Sequence, residues 1–395
     1  MRIDTDFINA LYQSLDASAR QEVDQAVSAV VAAKEKGGKV VVVTGSGPNL
    51  HEGVTTLIAE LIHKDIIDGV TTSSAVVAHE MAGVLDQVKR VDGKFLGFPI
   101  ELLPRGDCFE ISLLSDALLS RLQEEMVIDT VLMQKGLQLD GNVIIKAAGN
   151  MGYPLGLRTE NLAKEIMMAA RSKGLPFETV AGAGADPHTM LGAAWVKGKP
   201  LLVTVPQLVG GGMVGIAIAD SISIAERCSK IAAMMQGADV IIESAVVLTQ
   251  EIHDGPFETY TGHGIWSDWE GYSTYRLAEK ALIRIDLDPV LKSAWEFEHH
   301  SGEVQKAIDQ GIPKTKLMRI PFRMEMSGFC RLEKSVPVIA DIGVVWPILA
   351  LRVAQALAVP LDLISYPQNT EPGKEFRKWI VEQIQPVDRK KIFRA

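Results

Sequence analysis

Eighteen residues, His253 to Glu270 (HDGPFETYTGHGIWSDWE), hold two histidines, two tryptophans, a tyrosine, two aspartates and two glutamates. Carboxylates pair with ammonium groups and aromatic faces attract cations, so this run suits a cationic amine. Asp254 and Glu258 are the acids expected to hold the ammonium. A solvated loop anchored by its aromatics is the alternative. Only histidine has an unperturbed pKa near neutrality, so His253, His263 and His188 are the candidate general bases.

A second kind of chemistry is written in small residues. Gly45-Ser46-Gly47-Pro48-Asn49-Leu50 follows the β-branched run Val40 to Val43 and precedes a helical pattern. Backbone N–H groups and a positive helix end make such a turn suitable for an anion. It departs from the dinucleotide fingerprint. Leu50 holds the third glycine position, Pro48 lacks a donor, and Thr71-Thr72-Ser73-Ser74 stands where an acid would end the second strand. Those four hydroxyls could bind ribose or phosphate oxygens, although a helix N-cap explains one of them. The triplet Gly210-Gly211-Gly212 follows the strand PLLVTVPQ, and Glu243-Ser244-Ala245 follows ADVII. Both lie beyond strand carboxyl ends, where open α/β sheets bind ligands.

Other chemistries lack their signatures. His51, His79, His188, His253, His263 and the pair His299-His300 form no HExxH, and no GxSxG elbow occurs, so no metal site is expected. Cys108, Cys228 and Cys330 stand far apart, which fits a reducing cytoplasm. A net charge of −9 opposes nucleic-acid binding. The charged N-terminus MRIDTDFINA is unlike a signal peptide, and no apolar run reaches membrane-spanning length.

These turns need a scaffold. Val40–Val43, IIDGVTTSS, PFETVAG, PLLVTVPQL, ADVIIESAV, ALIRIDL, SVPVIADI and VPLDLISY read as strands. Between them, residues 18–36, LHEGVTTLIAELIHK, AVVAHEMAGVLDQVK, 159–173, ADPHTMLGAAW, a long helix from the glycine triplet to 235, GVVWPILALRVAQAL and 372–384 read as helices. Such alternation implies an α/β fold, a doubly wound and mostly parallel sheet with helices on both faces. One large domain over 1–395 is expected, with an N-terminal helical segment at 1–37. Residues 93–158 and 252–333 break the rhythm and read as functional insertions.

The order of these motifs resembles deoxyhypusine synthase. The residues that carry the likeness are KVVVVTGSGPNLHEGVTTLIAELIHKDIIDGVTTSSAVVAHEMAG, GKFLGFPIELLPRG, PLLVTVPQLVGGGM, GADVIIESAVVLTQEIHDG and PVIADIGVVWPILALRVAQALA. The opening strand, turn and helix are also similar to the carboxyl domain of archaeal-type ornithine cyclodeaminase. The resemblance implies bound NAD, a homo-oligomer (tetramer or dimer) with sites at subunit contacts, and oxidation of an amine to an imine. By position it places Gly47, Asn49, Leu50, Thr71, Thr72, Ser73, Gly211, Gly212, Ser244 and Asp341 along NAD. It places Asp254, Glu258, Trp266 and Asp186 near the amine. The family's catalytic lysine follows a tryptophan–glycine pair; here Trp266 is followed by Ser267-Asp268 and Trp269 by Glu270-Gly271. Lys280, Lys292 and Lys334 are the lysines in question.

The leading expectation is an NAD-dependent enzyme acting on a polyamine, amine or amino acid through an imine. One alternative is a non-catalytic NAD or small-molecule binding protein that has lost the lysine. Another is a cofactor-independent hydrolase or lyase using the His/Asp/Glu loop.

Overall fold

The computed structural model describes residues 3–45, 47–103, 106–148, 154–208, 211–245, 279–313, 316, 317, 319, 328–331 and 333–394. Six strands form one parallel sheet: β1 (Val40–Thr44), β2 (Gly69–Thr72), β6 (Leu201–Val203), β7 (Val240–Ser244), β8 (Ala281–Asp286) and β9 (Ser335–Ile339). Their spatial order is β6-β2-β1-β7-β8-β9. Every pairing is parallel. Counted along the chain within this sheet, that is 3-2-1-4-5-6, the doubly wound dinucleotide-fold order.

Side-chain alternation covers both faces. Val40 and Val42 enter one core with the helices Ala17–Glu35, Val54–His63, Ser74–Ala82 and Ile342–Ala356. Val41 and Val43 enter the other with Ile231, Met235, Leu291 and Ala294 from the helices Ile224–Gln236 and Pro289–His300. A strand buried on both sides needs an unbroken apolar run, and β1 supplies it.

Between β2 and β6 the chain builds a second sheet, antiparallel, in the order β4-β3-β5 from β3 (Leu85–Asp92), β4 (Cys108–Ser112) and β5 (Gly141–Ala147). β4 and β5 fall within 93–158, and the helix Glu371–Gln383 packs on β3 and β5. The N-terminal segment holds the helices Thr5–Ser14 and Ala17–Glu35.

Four sequence expectations are corrected. PFETVAG is the helix Phe177–Gly182 rather than a strand; its buried Phe177, Val180 and Ala181 have helical spacing. AVVAHEMAGVLDQVK is not one helix. Gly83, at φ +106°, ends Ser74–Ala82, and the remainder is the start of β3. The long helix after the glycine triplet is two, Met213–Ala219 and Ile224–Gln236, with Ser223 capping the second. VPLDLISY forms no strand. The Asp362 N–H goes to Glu60 (2.6 Å) and the following Gln368 N–H to Glu52 (2.7 Å), so carboxylates on helical segments replace a neighbouring strand.

A buried carboxylate ties two helices together. Glu80 accepts the N–H groups of Met190 (2.9 Å) and Leu191 (3.0 Å). Burial pushes its pKa from 4.5 up to about 7. A raised carboxyl means the folded chain holds a proton that the unfolded chain has released. Stability therefore falls as pH rises from 4.5 towards about 7. A Glu80→Gln variant is expected to show a shallower fall across that window. Urea midpoints at several pH values check it; identical slopes would refute the assignment.

Candidate functional site

In this strand order the chain leaves β1 towards β2, while β7 lies on its other side. The carboxyl tips of β1 and β7 therefore form the topological switch point of the sheet, where open α/β sheets have their crevice. Thr44 and Ser244 are register partners there. Thr44 donates its hydroxyl to that of Thr72 at the tip of β2 (2.8 Å).

Gly47 adopts φ +62°, ψ −91°, a conformation that favours glycine. Among the described residues, a Cβ built on it meets no atom within 4 Å, so the turn borders space that they leave open. Pro48 opens the short helix Pro48–His51, and the Gly47 carbonyl accepts from Leu50 and His51 N–H (both 3.0 Å).

Behind the turn lies a buried brace. Asn49 Nδ2 donates to the carbonyls of Gly45 and Ser244 (both 3.2 Å). The Ser244 hydroxyl donates to Asn49 Oδ1 (2.6 Å) and accepts from Trp346 Nε1 (2.7 Å). All three side chains are buried, as is Leu50. Asn49 and Ser244 therefore spend their side-chain hydrogen bonds inside the protein and fix the crevice's shape. Ser244→Ala strands the Asn49 oxygen and the Trp346 N–H. A loss of about 2–6 kcal/mol is expected at roughly 1–3 kcal/mol per stranded buried group. Chemical denaturation measures it, and an unchanged midpoint would show that the brace is idle.

The hydroxyl cluster after β2 is mostly used internally. Ser73 caps the following helix by accepting from Val76 N–H (3.2 Å), and Ser74 donates to the Gln207 carbonyl. The buried Thr71 hydroxyl has no partner. Gly211 is required by packing: a Cβ there would sit 2.7 Å from the Ser74 backbone. Gly212, at φ +59°, would bring a Cβ within 3.0 Å of Glu160 Oε1. Gly210 lies outside the described residues.

At the far side, Asp341 caps Ile342–Ala356 by accepting from Gly343 N–H (2.7 Å). Glu52 lies close by, accepting from Gln368 N–H (2.7 Å) and Nε2 (2.8 Å). Burial raises the Glu52 carboxyl and the nearby Asp341 adds to it. On the opposite face of β7 and β8, Arg284 lies 3.6 Å from Glu243 and 3.9 Å from Asp286, all buried.

Several sequence candidates lie elsewhere. His188 pairs with Asp186 (2.9 Å), and the hydrogen bond to Asp186 raises the imidazole's pKa. The Pro187 carbonyl beside them is 2.7 Å from His63 Nε2, at the last residue of Val54–His63. Gly53 opens that helix at the crevice, so His188 and Asp186 sit at its other end and do not join the crevice residues. Lys280 precedes β8, and Lys334 precedes β9 and pairs with Glu279 (3.2 Å). Both mark the amino ends of their strands, opposite the crevice. Lys292 pairs with Glu22 on Ala17–Glu35. His253, Asp254, Glu258, His263 and Trp266 lie outside the described residues.

Sequence reasoning missed the cluster of His51, His79 and Arg377. Arg377 Nη2 is 3.5 Å from His51 Nδ1, across 326 positions of chain. His51 directly follows the Gly45–Leu50 turn, at the last residue of Pro48–His51, which was the only available signal. Among the described residues no group of three or more His, Cys, Asp or Glu could hold a metal, and no helix is long and apolar enough to cross a membrane.

No protein-family model and no curated protein matches the chain. Three solved structures show a distant similarity. A LOR/SDH protein from Methanococcus maripaludis S2 has 11% identity and a TM-score of 0.41, covering 87% of this chain and 71% of that one. ArgZ, an arginine dihydrolase from the ornithine–ammonia cycle in cyanobacteria, has 13% identity and a TM-score of 0.39, covering 87% and 32%. AgrE, solved in a ternary complex with ornithine and NAD+, has 13% identity and a TM-score of 0.40, covering 87% and 34%. The chain thus spans about a third of the length of ArgZ and AgrE. None of the three is described as a deoxyhypusine synthase.

Proposed function

We propose that the crevice beyond β1 and β7 binds NAD and that the protein is an NAD-dependent enzyme acting on an amine or amino acid. The observation that carries this reading is the 3-2-1-4-5-6 sheet with a left-handed glycine facing open space at its switch point. Gly45 and Gly47 let backbone approach a pyrophosphate, with the start of Pro48–His51 behind it. The tip of β2 carries Thr72 and Ser73 in place of a ribose-binding acid, so ribose contacts there come from hydroxyl and backbone groups. Leu50, Thr71, Gly211, Gly212 and Asp341 complete the rim, and Asn49 and Ser244 hold it rigid.

The chemistry a bound nicotinamide supplies is acceptance of a hydride from the carbon bearing nitrogen. This chain's residues orient the amine and take its proton. Asp254, Glu258 and Trp266 are proposed for the ammonium and His253 or His263 for the proton; all five lie in the stretch between β7 and β8. Aminobutyl transfer through a lysine imine is the narrower form of this reading. Lys280, Lys292 and Lys334 of the same chain stand away from the crevice, which favours release of the imine to water or to a neighbouring group of the substrate.

Calorimetric titration with NAD, followed by absorbance at the reduced-cofactor wavelength on addition of polyamines and amino acids, tests the proposal. Binding plus reduction is the expected result. Binding without reduction across the panel would favour a non-catalytic sensor, and turnover by cofactor-stripped protein would favour a hydrolase or lyase.

A further inference from the structure

Three basic side chains converge at the flank of the crevice from distant segments. His51 ends the helix that starts beyond Gly47, His79 lies on the helix after β2, and Arg377 comes from Glu371–Gln383. Arg377 Nη2 lies 3.5 Å from His51 Nδ1 and donates to the Ile145 carbonyl of β5 (2.9 Å). Among the described residues, buried Arg377 Nε and His79 Nδ1 have no hydrogen-bond partner. Glu52 is the acid whose charge reaches Arg377, but both its oxygens are engaged by Gln368. Among the described residues no ion pair is formed by this guanidinium.

A half-buried guanidinium lacking a carboxylate is costly unless an anion completes it. Its planar fork matches a carboxylate through two parallel hydrogen bonds, and each imidazole adds one N–H donor. Burial keeps both histidines below their ordinary pKa, His79 at about 4, with Arg377 adding to the effect on His51 and His51 to that on His79. One fixed cation beside two neutral donors matches a singly charged anion better than a pyrophosphate. The place agrees. His51 is one helical turn beyond Gly47, and Arg377 and Ile145 belong to segments outside the six-stranded sheet.

We propose that Arg377, His51 and His79 form a receptor for the carboxylate of the molecule processed in the crevice. The substrate is then an amine that also carries a carboxylate, rather than a simple polyamine. The second statement rests on the proposed cofactor site; the first does not.

The test uses the full chain without cofactor and sodium acetate as the probe, against sodium chloride and ethylammonium chloride at equal ionic strength. The ring signals of His51 and His79 are followed by 1H–13C correlation spectra, assigned with His51→Phe and His79→Phe. Saturable shifts with acetate alone are expected. Arg377→Gln is expected to weaken acetate at least tenfold while NAD affinity changes less than twofold. Should Arg377→Gln fail to fold, His79→Phe must show the same selective loss. No saturable response to acetate, unchanged acetate affinity in both variants, or inorganic phosphate binding tenfold tighter than acetate would overturn the proposal. Acetate binding in a protein that ignores NAD would sink the cofactor reading and leave this one standing.

Discussion

A Gly47→Val variant is expected to bind NAD about 100-fold more weakly than the wild type while remaining folded. Two effects combine. A β-branched residue at φ +62° is strained by roughly 1–3 kcal/mol, which the turn relieves by shifting its backbone. The added isopropyl group also projects into the space bordered by the turn, where no atom of the described residues lies within 4 Å of the new Cβ. A 100-fold loss corresponds to about 2.8 kcal/mol, within the sum of strain and lost contact. Gly37→Val is the control. Gly37 has φ +72° and open surroundings, but it lies just after Ala17–Glu35 and before β1, at the opposite edge of the sheet. It should lower stability and leave NAD affinity unchanged. Calorimetry on both variants decides; equal affinities would place the cofactor elsewhere.

A large effect on stability is expected at Arg227. Its guanidinium pairs with Glu178, donates to the Val203 carbonyl (3.1 Å) and to the Ile218 carbonyl (3.1 Å), and is fully buried. Glu178 in turn accepts the Val203 N–H (2.7 Å) at the end of β6. Arg227→Met leaves Glu178 as an uncompensated buried charge and removes a donor from the Val203 carbonyl, while the Ile218 carbonyl keeps the Ser221 hydroxyl. A loss of about 3–5 kcal/mol is expected. Replacing both partners, as Glu178→Met with Arg227→Met, should recover part of it, because the stranded charge is then gone. Urea unfolding of the single and double variants measures the difference. A double variant less stable than Arg227→Met would contradict this explanation.

The same pair shows why parts of the fold were hard to read in the sequence. Val40–Val43 announces a two-faced strand because local composition and tertiary demand agree. PFETVAG carries β-branched and aromatic residues, yet Glu178 must reach both Arg227 and the Val203 N–H, and a helix presents it there. The break between Met213–Ala219 and Ile224–Gln236 likewise frees the Ile218 carbonyl that Arg227 takes. VPLDLISY looked like a strand because it is rich in apolar residues, and Leu363, Ile364 and Tyr366 are buried, but its Asp362 N–H ends on Glu60, 302 positions away. Long-range partners of this kind leave no periodic trace.

The site was legible to a similar degree. Gly47 and the turn around it could be read because a strand, a small-residue turn and a helix are contiguous. Asn49 and Ser244 were expected along the cofactor, and their side chains hydrogen-bond each other and Trp346. Gly211 was expected along the cofactor, and its missing Cβ also admits the Ser74 backbone. His188 was expected as a base and Asp186 near the amine; they pair with each other, beside His63 at the last residue of Val54–His63. Arg377 could not be found from local pattern, since its partners His51 and Ile145 lie 326 and 232 positions away.

The most direct measurement is a crystal structure of the protein grown with NAD. Pyrophosphate density against the Gly45–Gly47 backbone, with the two nucleotides running to either side of the β1–β7 junction, is the expected result. A crevice that stays empty of cofactor at saturating NAD, or a dinucleotide bound away from the carboxyl tips of β1 and β7, would contradict it.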